Sequence, residues 1–193
     1  MVIALTGLMN SGKSTVADYL VTHRDFVRLK FAQGLKEMMR ALGLTDDEIE
    51  GVRKEMPCER LNGRTPRYAM QTLGTEWGRQ MMHENVWSNI CAARIDASQN
   101  AYGDLFQQRF VISDLRFMNE LRLMRARYHT RCFVIGIERP DAEGSGMVHA
   151  SEQDIQMLLQ EADIVLKNEG TLEELEDKAR SLIEMWSDSG LLV

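Results

Sequence analysis

Cysteine is scarce in this chain. Its three thiols, Cys58, Cys91 and Cys132, are odd in number and widely spaced, and none belongs to a C-x-x-C pair. Such a set gives no disulfide framework and fits reduced thiols in a cytoplasmic protein, with Cys132 inside an apolar strand. No apolar run approaches the roughly 20 residues that span a bilayer, and the first residues read as a strand rather than a signal peptide, so no membrane partner is expected. There is no internal repeat and no low-complexity linker. Basic charge is also in deficit: 23 Lys and Arg face 29 Asp and Glu, a net charge of −6. Broad nucleic-acid binding is therefore not expected, and any positive charge that meets a polyanion must be local.

What remains is ordinary globular composition, 44% hydrophobic and 27% charged over 193 residues, enough for one packed α/β domain over 1–193. Apolar runs recur at Val2–Thr6, Val27–Phe31, Phe110–Ser113, Cys132–Ile137 and Ile164–Leu166. Helical patterns lie between them, which predicts a five-stranded parallel sheet with helices on both faces. The clearest helix carries Leu172, Leu175, Ala179, Leu182, Ile183 and Trp186 on one face, and Thr171 with Glu174 forms its capping box. Ser151 and Asp154 mark another start, and a helix is expected over Leu115–Arg127. Residues 32–108 hold helical stretches and no convincing strand, a large insertion after the second strand.

The first strand opens into Gly7-x-x-x-x-Gly12-Lys13-Ser14 and then a helix. Glycines let backbone N–H groups converge on a polyphosphate, with Asn10, Ser11 and Thr15 in the same loop, and the helix adds its positive end. Lys13 is a point charge for the outer phosphates, and the Ser14 hydroxyl is placed for Mg²⁺. The third strand ends Arg109-Phe-Val-Ile-Ser-Asp114-Leu-Arg116. That position sets the Asp114 carboxylate at the ligand-binding edge of the sheet, on a metal-bound water or a proton, with Arg116 free to reach a transferring phosphoryl group. A simple helix cap is the competing reading of Asp114.

In the insertion, Pro66 suits a helix start, and Arg67, Gln71 and Thr75 then repeat at i, i+4, i+8, followed by Glu76, Trp77 and Arg79. Arginines at both ends of such a stripe suit a phosphate, although a solvated face would look similar. Gly74 and Gly78 imply that something approaches this helix closely. After the fifth strand come Lys167-Asn168-Glu169-Gly170, an edge where an adenine ring can meet backbone. His149 follows the glycine-containing stretch Pro140–Gly146, read as a mobile flap; it is either a substrate contact or a histidine at a helix start.

Together these residues resemble the bacteriophage deoxynucleoside monophosphate kinases, within the P-loop nucleoside monophosphate kinase group. The resemblance rests on Leu5–Thr15, Phe31-Ala-Gln-Gly-Leu-Lys36, Gln71–Arg79, Asp114-Leu-Arg-Phe-Met-Asn-Glu120, His149-Ala-Ser-Glu152 and Ala162–Gly170. It implies a P-loop kinase fold and transfer of the ATP γ-phosphoryl group to a deoxynucleoside 5′-monophosphate with Mg²⁺, in a homodimer within the host cytoplasm. Lys13, Asp114, Arg116 and Arg79 would act at the reacting groups, with Ser14 and Asp114 on the metal. Gly7, Asn10, Ser11, Gly12, Thr15, Arg139, Asn168 and Gly170 would hold ATP. Phe31, Lys36, Arg67, Gln71, Thr75, Glu76, Trp77, Arg79 and His149 would hold the acceptor. The chain departs from the group in having no arginine between Arg139 and Arg180, where a lid commonly carries several. A dephospho-coenzyme A kinase-like enzyme and a non-catalytic ATP-binding regulator are the alternative readings.

Overall fold

The computed structural model describes residues 1–102, 108–140 and 150–191. Five strands, β1 (Val2–Thr6), β2 (Phe26–Leu29), β3 (Arg109–Ile112), β4 (Cys132–Glu138) and β5 (Ile164–Lys167), form one sheet in the order β2-β3-β1-β4-β5. Every pairing is parallel. The helices are α1 (Lys13–Arg24), α2 (Gln33–Ala41), α3 (Asp46–Ile49), α4 (Pro66–Thr72), α5 (Val86–Tyr102), α6 (Met118–Tyr128), α7 (Ala150–Gln160) and α8 (Leu172–Asp188). The chain divides into two compact units, a sheet unit of Met1–Lys30 with Arg94–Val193 and a helical unit of Phe31–Ala93.

In the sheet unit, β1 is buried along its whole length, as a central strand covered on both faces must be. Ile3 and Leu5 point to one face, where Val16, Ala17 and Leu20 of α1 and Leu175, Ala179, Leu182 and Trp186 of α8 close the core. Thr6 pairs in register with Gly136, and a Cβ on Gly136 would strike Leu159 of α7 at 2.8 Å, so α7 covers the opposite face. The α8 capping box forms as its sequence implies: Glu174 N–H donates to Thr171 Oγ1 (3.2 Å), and Thr171 N–H to Glu174 Oε2 (3.1 Å). No described helix is long and apolar enough to cross a membrane.

Helix α6 starts at Met118 rather than at Leu115. The buried Glu120 carboxylate accepts from the N–H groups of Arg116 (3.0 Å) and Phe117 (3.2 Å), while Asp154 of α7 accepts from Met118 N–H (3.2 Å). These carboxylates satisfy the donors that a further helical turn would need, and residues 113–117 stay outside the helix, with Phe117 extended. Asp114 is therefore not the cap of α6.

The helical unit packs Leu35, Met39, Leu44, Ile49 and Trp87 into its own core. Buried Glu48 ties this unit together. Its carboxylate accepts from Thr45 N–H (2.8 Å) and hydroxyl, and from the Arg60 guanidinium at 2.6 Å. The Thr45 hydrogen bonds come first among the causes that hold this carboxyl down at about 2, with Arg60 adding to them.

Beyond α4, residues Leu73–Met82 form a π-helix, with the wider i→i+5 ladder. The expected i, i+4, i+8 stripe thus breaks after Gln71, because Thr75 and Arg79 sit in a different helical register. The close neighbour implied by the two glycines is Trp87. A Cβ on Gly78 would lie 2.6 Å from its Nε1, and that N–H donates to Gly74 O at 2.8 Å. Leu35 presses on Gly74 from the same core, 2.9 Å from the position a Cβ would take.

Candidate active site

The loop between β1 and α1 is shaped by two glycines that no other residue could replace in place. Gly7 has φ 143°, and a Cβ there would lie 2.3 Å from the Ile137 carbonyl oxygen. Gly12 has φ 110°, with Leu175 at 2.5 Å and Asn168 Nδ2 at 2.9 Å from its missing Cβ. Asn10 takes the left-handed φ of 62° that its short polar side chain tolerates. The turn closes through Ser11 N–H to Leu8 O at 3.3 Å, and Ser11 is wholly buried. Ser14 stands exposed on the first turn of α1 with Thr15 half-buried behind it, and no acidic residue occupies that turn. The glycine-dependent turn thus runs directly into the first turn of α1, whose leading N–H groups have no partner within the helix, a form suited to a polyphosphate.

Lys13 folds back over this loop and donates to Gly7 O at 2.8 Å and Leu8 O at 2.5 Å. Its pKa is lowered from 10.5 to about 8, first by burial and then by the nearby Arg116 guanidinium, with Asp114 partly offsetting both. Asp114 and Arg116 thus both lie within electrostatic reach of Lys13.

The depressed pKa has two consequences of known sign. Free protein binds fewer protons than the unfolded chain between about pH 8 and 10.5, so the contribution of Lys13 to stability rises with pH through that window. Phosphates beside Nζ favour the ammonium, so ATP binding at about pH 8.5 should take up a proton and at about pH 6.5 should take up almost none through this group. Calorimetry in buffers of different ionisation enthalpy reads this directly. A Lys13→Met variant should lose the uptake, and equal uptake in both proteins would refute it.

Three side chains hold the segments around the loop in roles that the sequence reading did not assign to them. Arg28 on β2 donates to Ser113 Oγ (3.1 Å), Ser14 Oγ (3.4 Å) and Asp18 (2.6 Å), joining the end of β3 to the start of α1. Glu120 and Asp154 hold the segment that carries Arg116. In the sequence Glu120 closes a motif and Asp154 marks a helix start, whereas Arg28 carries no signal.

At the β4–β5 edge a cavity of about 290 Å³ opens, lined among others by Leu8, Arg139, Gln156, Lys167 and Glu169. That volume is at the small end of organic-ligand sites. Asn168 lies between two lining residues but is itself buried, and its Nδ2 donates to Ser11 O at 2.9 Å. Gly170 leaves room for the capping Glu174 carboxylate, which a Cβ would overlap.

Apart from His149, the expected acceptor residues belong to the helical unit. Phe31 is buried there. Lys36 donates to both Glu50 oxygens at 2.7 Å, and Arg67 pairs with Glu55. Both carboxylates come from the stretch around the 3₁₀ turn Val52–Glu55. Gln71, Thr75 and Glu76 are exposed, and Arg79 is half-buried. Trp77 is also half-buried, its ring 6.1 Å from that of Trp87. His149 and most of the expected flap lie outside the described residues. The described cysteines are all free and buried, and burial pushes Cys132 up to about 11, which suits packing rather than reactivity.

Solved structures share this architecture. Shikimate kinase from Aquifex aeolicus matches 95% of this chain and 96% of its own, at TM-score 0.55 and 14% identity. Dephospho-CoA kinase from Campylobacter jejuni matches 98% of each chain at TM-score 0.56 and 14% identity. At such identities these likenesses establish the P-loop kinase fold and leave the acceptor open. The sequence relatives are more specific. A protein of Acanthamoeba polyphaga mimivirus, provisionally described as a deoxynucleotide monophosphate kinase, is 31% identical over 95% of this chain and 96% of its own. A deoxynucleoside-5′-monophosphate kinase of Escherichia phage T5 is 37% identical over 65 residues, 34% of this chain and 23% of its own. The family model for deoxynucleotide monophosphate kinase matches residues 48–179, which run from the helical unit through β3, β4 and β5 into α8. By that match and the near full-length mimivirus relative, the chain belongs to the deoxynucleotide monophosphate kinase family.

Proposed function

We propose that this chain transfers the γ-phosphoryl group of ATP to a deoxynucleoside 5′-monophosphate, giving ADP and the diphosphate. The observation that carries the reading is the meeting of Lys13, Asp114 and Arg116 at a phosphate-shaped loop. Phosphoryl transfer needs no covalent intermediate, only in-line placement, charge neutralisation and exclusion of water. The loop amides and Lys13 bind the donor phosphates, and Arg116 balances charge on the transferring group. The cleft of Arg139, Lys167 and Glu169 takes the donor base. Ser14 and Asp114 offer hard oxygen donors, which fit Mg²⁺; they would hold the ion, and it would supply neutralisation of phosphate charge. In the helical unit, Lys36, Arg67, Gln71, Thr75 and Arg79 take the acceptor, its phosphate exchanging with Glu50 and Glu55 for the cations they hold.

The test is ADP release from ATP and Mg²⁺ with each deoxynucleoside monophosphate in turn, beside ribonucleotides and dephospho-coenzyme A. Turnover that requires a deoxynucleotide supports the reading. ATP binding without acceptor-dependent turnover would leave only a nucleotide-sensing role. Arg79→Ala should raise the acceptor KM by about ten- to a hundredfold, the worth of a charged hydrogen bond, and leave the ATP KM unchanged. An equal rise in both constants would take Arg79 out of the acceptor site.

A further inference from the structure

We infer that Asn168 is a positioning residue that sets the phosphate loop from behind, rather than a reader of the donor base. Asn168 is 4% exposed. Its backbone N–H continues the sheet by donating to Glu138 O at 2.7 Å, which fixes where its side chain leaves the end of β5. From there Nδ2 donates to Ser11 O at 2.9 Å. Its neighbours Lys167 and Glu169 line the cavity, so the chain alternates across this position and turns the amide away from the base cleft.

The bond meets the loop where its shape is decided. Ser11 is fully buried, and its carbonyl begins the peptide that leads into Gly12, the residue before α1. Holding that carbonyl from behind fixes the plane of the Ser11–Gly12 peptide, and with it the direction of the Gly12 N–H. The Gly12 Cα faces Asn168 Nδ2 and Leu175 so closely that a methyl group has no space. The loop therefore rests on α8 and on the β5–α8 turn, and it is preorganised before any nucleotide arrives.

This inference rests on the donor-phosphate reading of the loop, and the experiment separates the two. Inorganic tripolyphosphate and adenosine are each titrated as competitors of ATP in the turnover assay, with wild type, Asn168→Ala and Asn168→Asp. The melting temperature of each protein is recorded alongside. Removing one buried hydrogen bond that orients the loop should weaken tripolyphosphate about tenfold in Asn168→Ala, with adenosine unchanged. Asn168→Asp should weaken it more, because a carboxylate facing the Ser11 carbonyl repels where the amide donated. Weaker adenosine with unchanged tripolyphosphate would overturn the inference in favour of base reading. A fall in melting temperature with both constants unchanged would reduce Asn168 to a structural role. Wild-type turnover that tripolyphosphate does not slow would remove the donor reading, and this inference with it.

Discussion

Lys13→Met should lower turnover by about a thousandfold while the free protein stays folded, because the lost ammonium acts on charge that develops during transfer. The geometry makes the loss hard to compensate. Lys13 lies over the loop, donating to Gly7 O and Leu8 O, and is the positive group carried by the loop itself. Arg116 is near enough to depress the lysine's pKa, yet it extends from the segment after β3 and not from the loop itself. Lys13→Arg should fail almost as badly, since a planar fork does not fit the space of a compact ammonium. Methionine also removes a half-buried charge that burial disfavours, so stability should hold or rise near neutral pH. Steady-state turnover and thermal melting on the same preparations decide the matter. Retention of about a tenth of wild-type turnover would show that the loop lysine is not the main source of stabilisation.

Trp87→Ala should destabilise the helical unit by about 3–5 kcal/mol, at the upper end for a single core substitution. The indole is 4% exposed, it fills the close approach to Gly78, and its N–H satisfies Gly74 O. Truncation opens a cavity and leaves a carbonyl short of a donor in a segment whose hydrogen-bond register is already unusual. Trp87→Phe keeps most of the apolar filling and loses the N–H, so a cost of about 1–2 kcal/mol is expected. Urea unfolding of both variants measures the difference. Equal, small costs would mean that Trp87 does not hold the π-helix in place.

The sheet was readable from sequence because its central strands β1, β3 and β4 are short, almost uninterrupted apolar runs, the mark of burial on both faces, and β2 and β5 at the edges keep enough of that pattern. The phosphate loop was readable for a similar reason, since Gly7, Gly12, Lys13 and Ser14 each have a local physical need that few other residues meet. The π-helix was not. Its register depends on Trp87 lying across Gly74 and Gly78, a contact made by a residue on the next helix, and the helical period alone suggests an ordinary α-helix. The start of α6 was misread because the Glu120 and Asp154 carboxylates replace the donors' helical partners, and Asp154 comes from a distant helix. The direction of Asn168 was equally hidden. An Asn in a strand-to-helix turn can face a ligand or the protein, and only the closeness of Gly12 in space decides which.

The position of β1 has a consequence for motion. Its amides and carbonyls are paired on both sides, with β3 and β4, whereas β2 and β5 each have one neighbour and border solvent or loops. In hydrogen-exchange terms, edge strands open by local fraying, and the central strand opens only when the sheet itself comes apart. The candidate phosphate loop is thus an extension of the strand expected to open most slowly in the unit. The Asn168–Ser11 bond then links this slow centre to the β5 rim, so fluctuation that loosens the base cleft reaches the loop through the side chain that props it.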